Sequence, residues 1–334
     1  MDTRQIKYFI ALFEEQSITK AARRLHVVQP AVSMQLRKLE TDFGVTLFER
    51  TPHGLTPSTI ARGLYPVCLE IAADLHRAEQ LLRDSAGAVS GSINVGVLPS
   101  VAQSLLGEAL LDYTRLYPHV VVRCYEGYSG NVSGWLAQGA LDFAIVTVME
   151  GESRLRLRPL ITEDLMAVAG RSTELGGGPS IRGEDLLKLR LVLPSGRNSL
   201  RVLIDTEFER LGMTVAAALE VDSLATVFKV LESPGWVSIL PEIALRDRQV
   251  GERFGWRRLV EPSIRRSLAI AFQPGREPSL AGQKFIDTLE QTIKQAADTP
   301  PPSPPPLSPP PPSPTATAPT ATARRARRSP VHSG

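Results

Sequence analysis

Through the first 85 residues apolar positions recur at helical spacing, and from about residue 91 short apolar runs of strand length alternate with helical patterns. Ile6, Phe9, Ile10 and Phe13 form one stripe and predict a first helix. Ser17 can open a second, shorter helix, because its hydroxyl can accept from an orphan backbone N–H. Ala21, Ala22 and Leu25 give that helix a small apolar face, which allows close approach of a neighbour. After the tight connection His26-Val27-Val28, Pro30 suits the first turn of a third helix, where its missing N–H costs nothing. Val32, Leu36, Leu39 and Phe43 then predict one buried stripe, ended by Gly44 as a left-handed cap. Gln29, Pro30, Ser33, Met34 and Arg37 face the other way.

Two short helices, a tight connection and a second helix exposing small and polar residues are what a helix-turn-helix needs to enter a DNA major groove. Gln29 and Ser33 can reach base edges, and Arg37 a phosphate or a guanine. Ser17 and Lys20, at the start of the preceding helix, complete that side of the expected DNA surface. The competing reading is a plain three-helix bundle. The stretch Leu47–Pro57 weighs against it: strand, turn at His53-Gly54 and return strand have the form of a wing, with Arg50 placed on a phosphate. Thr56-Pro57 reads as the cap and first turn of a long helix running to about Asp84. Its residues Ile60, Leu64, Val67, Ile71, Leu75, Ala78 and Leu82 repeat at spacings of four and three, the pattern of a coiled-coil seam. The other reading is a helix lying on its own domain, but the Ala-Gly-Ala-Val-Ser-Gly stretch that follows looks like a hinge. Pro66 inside the helix should remove one backbone bond and bend it locally.

Beyond the hinge, strands are expected at 92–97, 120–125, 142–148, 165–169, 189–193, 216–221, 237–240 and 268–272. Helices are expected at 104–116, 131–138, 199–211, 224–231 and 280 to about 297. Strand, helix and strand in sequence imply an α/β domain built on parallel sheet with right-handed crossovers.

Up to this point the residues resemble the LysR-type transcriptional regulators. The match is carried by Phe9, the Ser17–Leu25 run, Gln29-Pro30-Ala31-Val32-Ser33, Leu39-Glu40, Phe43-Gly44 and Leu47-Phe48-Glu49-Arg50. The resemblance reaches about residue 297. It implies a winged helix-turn-helix over residues 1–58, a linker helix and hinge over 59–90, and a two-lobed α/β effector-binding domain of periplasmic-binding-protein type over 91–297. One lobe would take 91–161 with 267–297 and the other 162–266, with crossings near Ile161 and Arg266. In this family the residues matching Gln29, Pro30, Ser33 and Met34 face the major groove, and arginine is common where Met34 stands here. The sensor half is most similar to the nitrogen assimilation control subgroup, through Leu193-Pro194-Ser195, Glu220–Thr226 and Leu240–Ala244. In this family a glycine commonly precedes the last strand, where this chain has Ser233-Pro234-Gly235-Trp236; Trp236 would change the packing of pocket or lobe, so the ligand is not carried over.

Ligands of open α/β sheets bind at strand carboxyl ends. Here those ends carry Ser100, Ser129, Asn131 and Thr147 from one lobe, and Ser195 and Arg197 from the other. Helix starts supply outward N–H groups for an anion. These six are the expected effector contacts, for a carboxylate-bearing or similarly anionic metabolite.

Composition changes the picture in four places. The net charge is +3, but four arginines, Arg324, Arg325, Arg327 and Arg328, lie beyond the last acidic residue, Asp298. Without them the rest carries −1, so affinity for DNA must come from local arrangement. Residues 298–334, rich in Pro, Ser, Thr and Ala and ending in that basic cluster, are expected to be disordered. No run of about 18 apolar residues is present and the polar amino terminus enters a helix directly, so a cytoplasmic protein without membrane span or secretory signal is expected. Cys68 and Cys124 fall on different elements, and a disulfide between them is not expected.

The expected partners are double-stranded DNA, a second copy of the chain as dimer or tetramer, a small metabolite and RNA polymerase. The alternatives are an α/β enzyme with a helical appendage, a solute-binding protein, and a regulator that needs no effector. The five histidines, His26, His53, His76, His119 and His332, follow no metal-ligand or triad spacing. No catalytic residue, metal or cofactor is therefore expected.

Overall fold

The computed structural model describes residues 1–52, 54–85, 89–149 and 155–298. His53 of the wing turn, Ala86-Gly87-Ala88 of the hinge and the tail from Thr299 lie outside the described residues.

The amino-terminal core forms around the helices Thr3–Glu15, Ile18–Arg24 and Gln29–Phe43. Ile6, Phe9, Ala21, Ala22, Val32 and Leu39 are buried together, with Leu36 half-buried. Phe43 departs from its expected place in this stripe: it is 60% exposed. It sits on the last residue of its helix, against Gly44 at φ 64°. The small three-helix core does not reach that far.

Between the second and third helices the chain turns at His26, which adopts φ 55°. Val27 N–H donates to Ala22 O at 3.0 Å and His26 N–H to Arg23 O at 3.1 Å, the paired bonds of a Schellman turn.

Strands β1 (Phe48–Thr51) and β2 (Gly54–Pro57) make the wing. Gly54 is required here: at φ 132°, a Cβ would stand 2.6 Å from Gln16 O, to which the Leu55 N–H donates. Thr56 and Pro57 end the return strand instead of opening a helix. The cap is Ser58, whose Oγ accepts from Ala61 N–H at 3.2 Å and donates to Thr46 O at 2.8 Å. The linker helix Thr59–Ser85 continues through Pro66.

Ten further strands form one sheet across two lobes: β3 (Gly91–Val97), β4 (Val120–Glu126), β5 (Phe143–Thr147), β6 (Arg156–Gly170), β7 (Ser180–Arg182), β8 (Arg190–Leu193), β9 (Leu219–Glu220), β10 (Trp236–Pro241), β11 (Phe254–Val260) and β12 (Arg265–Phe272). Eight of them lie in a single path, and β11, with β7 beyond it, branches from β6. Within each lobe the pairings β4-β3-β5 and β9-β8-β10 are parallel, as expected. The sheet as a whole is mixed, because β6 and β12 pair antiparallel with each other and with β5, β10 and β11.

β6 starts nine residues before the expected Leu165. Its first half, to Asp164, pairs with β12, and its second half pairs with β10 and β11. Pro159 lies in the first half, and the register shifts beside it, between Leu268 and Ala269. A bulge accommodates a residue with no N–H to give. One core gathers Ile93, Val95, Tyr113, Phe143, Ile270 and Phe285; the other gathers Leu165, Ile204, Phe208 and Ile239.

The linker helix touches both halves of the molecule. Tyr65 stacks on Phe13 with centroids 4.0 Å apart, and its hydroxyl donates to Glu14 Oε1 at 2.6 Å. Glu14 also pairs with Arg24. At the other end Gln80 Nε2 donates to Ser92 O at 2.9 Å, and Asp84 Oδ2 accepts from Leu280 N–H at 2.9 Å, at the start of the final helix Leu280–Asp298.

Candidate nucleic-acid interface and interlobe cleft

The third helix presents its expected face. Gln29, Pro30 and Arg37 are exposed, Met34 is 62% exposed and Ser33 half-buried, while Val32 and Leu39 on the other side are inside the core. Val28, extended before the helix, provides no side-chain cap; Pro30 has no N–H to satisfy, and the Ala31 N–H donates to Val28 O at 3.0 Å. Ser17 caps its helix, accepting from Lys20 N–H at 3.4 Å, and the Lys20 side chain is exposed. Arg50 is exposed on β1. One residue outside the expected set holds the wing in place. Glu40 Oε1, at the end of the recognition helix, accepts from Leu47 N–H at 2.7 Å and Phe48 N–H at 3.2 Å. These two bonds tie the wing to the recognition helix.

Along the linker helix Ile60, Val67, Ile71, Leu81 and Leu82 are 44–74% exposed. Leu64 and Leu75 are half-buried, and Leu64 packs against the amino-terminal core. Ala61, Cys68 and Gln80 of the same helix are buried within the chain. Among the described residues, the exposed part of this apolar stripe has no partner within a single copy.

The interlobe cleft is narrow, a cavity of about 50 Å³. Of the six residues expected there, Ser100 and Thr147 line it. Ser129 lies just behind, its Oγ accepting from Thr147 N–H at 3.1 Å and from Ser199 Oγ at 3.2 Å, a bond that joins the two lobes. Asn131 is exposed on the helix Ser129–Ala137 and lies outside the lining. Ser195 gives only its backbone, its N–H donating to Asp222 Oδ1 at 3.1 Å. Arg197 is exposed and also outside the lining. The tight turn before the helix Ser199–Glu209 carries it outward, while Asn198 caps that helix through Leu200 N–H.

The charge in the cleft comes instead from Arg266 on β12. It is 4% exposed and ion-paired with the equally buried Glu163 of β6, Nε to Oε1 at 3.0 Å. Its Nη2 donates to Ser100 Oγ at 3.0 Å. Glu163 Oε2 accepts from Ile243 N–H at 2.7 Å, so this pair fastens the crossing strands to both lobes. Tyr128 lines the mouth with Asp222, and its phenol is pushed up to about 12 by burial and by the nearby Asp222 and Glu126 carboxylates. Burial likewise raises both cysteine thiols to about 11, so Cys68 and Cys124 stay protonated at neutral pH, when a thiol is a poor nucleophile. Among the described residues no group of three or more His, Cys, Asp or Glu side chains could hold a metal ion, and no helix is long and apolar enough to cross a membrane.

A winged helix-turn-helix joined through a long helix to a two-lobed α/β domain is the architecture of a DNA-binding transcriptional regulator with an effector-binding domain. Comparison with known proteins gives the same class. Residues 3–62 match the bacterial regulatory helix-turn-helix protein, lysR family, and residues 86–294 match the LysR substrate binding domain. The chain belongs to the LysR family of regulators and is not an enzyme. It is 29% identical over 295 residues to the nitrogen assimilation regulatory protein nac of Escherichia coli (strain K12), covering 88% of this chain and 95% of that one. Two solved structures share the fold. A variant of full-length OxyR from Pseudomonas aeruginosa superposes with TM-score 0.66 at 23% identity, over 88% of this chain and 95% of that one. CbnR complexed with its target DNA superposes with TM-score 0.65 at 22% identity, over 87% of this chain and all of that one.

Proposed function

We propose that this regulator reads a specific operator as a dimer, or a dimer of dimers, in the cytoplasm, and that it serves nitrogen or amino-acid metabolism. The pathway follows the likeness to the nac regulator. The observation that carries operator reading is the face of the recognition helix: Gln29, Ser33, Met34 and Arg37 stand clear of a core that holds the helix rigidly, with Arg50 on the attached wing. Base edges are read by the first group and phosphates by Arg50. The exposed stripe of the linker helix pairs two copies and sets the half-site spacing. A small metabolite in the interlobe cleft shifts the angle between the paired copies, by binding one arrangement more tightly than another. RNA polymerase is the partner through which that shift reaches transcription. A second reading, a regulator that needs no effector, draws on the narrow cleft and on the Ser199–Ser129 bond across it.

DNA titrations at several salt concentrations test the operator reading. Gln29→Ala should lose about 1–3 kcal/mol on the operator and little on unrelated DNA. Arg50→Ala should weaken both alike and reduce the salt slope by about 1. Equal operator affinity for Gln29→Ala and wild type would remove the recognition-helix assignment.

A further inference from the structure

We infer that the interlobe cleft selects a short-chain monocarboxylate, of about two to four carbons, over dicarboxylates and neutral amides. This rests on the reading of the cleft as the effector site and adds the chemical class of its ligand.

Three observations limit what fits. The first is the supply of hydrogen-bond donors. Arg266 is buried, and its Nε and Nη2 are taken by Glu163 and Ser100, but its Nη1 has no acceptor among the described residues. Asn198 is 4% exposed and its Nδ2 is buried without a partner, while its Oδ1 is used by Leu200 N–H. Ser100 Oγ accepts from Arg266, which leaves its own O–H free to donate. Asn198 Nδ2, the Ser100 hydroxyl and the remaining Nη1 of Arg266 are donors on two sides of a cavity, and together they call for an acceptor able to take several hydrogen bonds, which the two oxygens of a carboxylate supply.

The second is the count of charges. Among the described residues lining the cleft Arg266 is the one cation, its charge balanced by the buried Glu163 behind it, and Asp222 is a further carboxylate at the mouth. After burial, Asp222 is the next cause that raises the Tyr128 phenol. A second ligand carboxylate would meet repulsion without a partner, since Arg197 points elsewhere.

The third is size and polarity. Past the polar end the walls are Leu98, Leu200, Val227 and Leu240. A dry cavity of about 150 Å³ holds a benzene ring. The 50 Å³ here therefore takes a carboxylate head, with a short aliphatic tail admitted by a small parting of the lobes.

The test uses the full chain in thermal-shift and calorimetric titrations, with ionic strength held constant by sodium chloride. The probes are acetate, propionate and butyrate, then malonate and succinate, then propionamide. Propionate should bind with a Kd of about 1 mM, as suits so small a ligand, and at least tenfold more tightly than succinate or propionamide. The double variant Glu163→Gln with Arg266→Met keeps the volume and the acceptor for Ile243 N–H while removing the cation, and it should abolish propionate binding. Ser100→Ala should weaken it several-fold. Tighter binding of succinate or propionamide, lost in the double variant, would overturn the monocarboxylate class and keep the cleft as effector site. Propionate binding that survives the double variant would place the ligand elsewhere and overturn the proposal. Failure of every probe to shift or titrate the wild type would overturn it as well; the cleft would then be structural.

Discussion

Val67→Asp combined with Ile71→Asp should turn the protein into a folded monomer that has lost most of its operator affinity. Both side chains are nearly half exposed, at 48% and 44%, so neither supports the fold of its own copy. Across a helix pair they would be buried, and a carboxylate buried there without a partner is strongly disfavoured. Leu64 belongs to the same stripe but packs partly on the amino-terminal core, so changing it would mix two effects. Two linked recognition helices gain about 10²–10⁴ in affinity over one by avidity alone, and that factor is what the variant should lose. Sedimentation reports the assembly state, and DNA titration the affinity. A variant that remains dimeric, with normal melting and normal binding, would place the dimer seam on another surface.

Arg266→Met alone should destabilise the sensor half by about 3–5 kcal/mol, because Glu163 would be left buried without its partner. Adding Glu163→Gln should recover most of that loss. Replacing a buried ion pair as a whole is often neutral, whereas breaking it is costly. The recovered stability also makes the double variant a fair reagent for ligand binding. Denaturant unfolding of the three proteins reads the comparison directly. A loss below about 1 kcal/mol in the single variant would mean that water or another group compensates Glu163.

The amino-terminal half was legible because short-range chemistry determines it. Ser17, Pro30 and Gly44 stand where caps and first turns need them, and the stripe of Val32 and Leu39 is in the core. The Schellman turn at His26 was hidden, since the left-handed position that usually shows as glycine is filled by histidine. The hold of Glu40 on the wing was hidden for another reason: a carboxylate on a helix gives no sign of which backbone amides it will meet. In the sensor half, Pro159 and its flanking arginines broke the strand pattern of β6, although a bulge at Leu160 of the same strand accommodates them. The parallel strands were legible, but the antiparallel crossings follow from how the chain passes between lobes, which no local period records. The cleft divides the same way. Ser100 and Thr147 could be found because strand ends line such clefts. Arg266 lies within a strand, 166 residues from the hydroxyl it holds, and nothing near it in sequence marks it out.

The central claim, a dimer that reads sequence through its recognition helices, is tested most directly by selection from a pool of random duplexes. Wild type and Ser33→Arg protein would be compared at the same salt concentration. The wild type should enrich two half-sites related by two-fold symmetry, with centres about 10–10.5 base pairs or a multiple apart. Ser33→Arg should lose or change the preferred bases within each half-site and leave the spacing intact, since the spacing belongs to the linker helices. Enrichment of no motif by the wild type, or an identical motif for both proteins, would contradict the account.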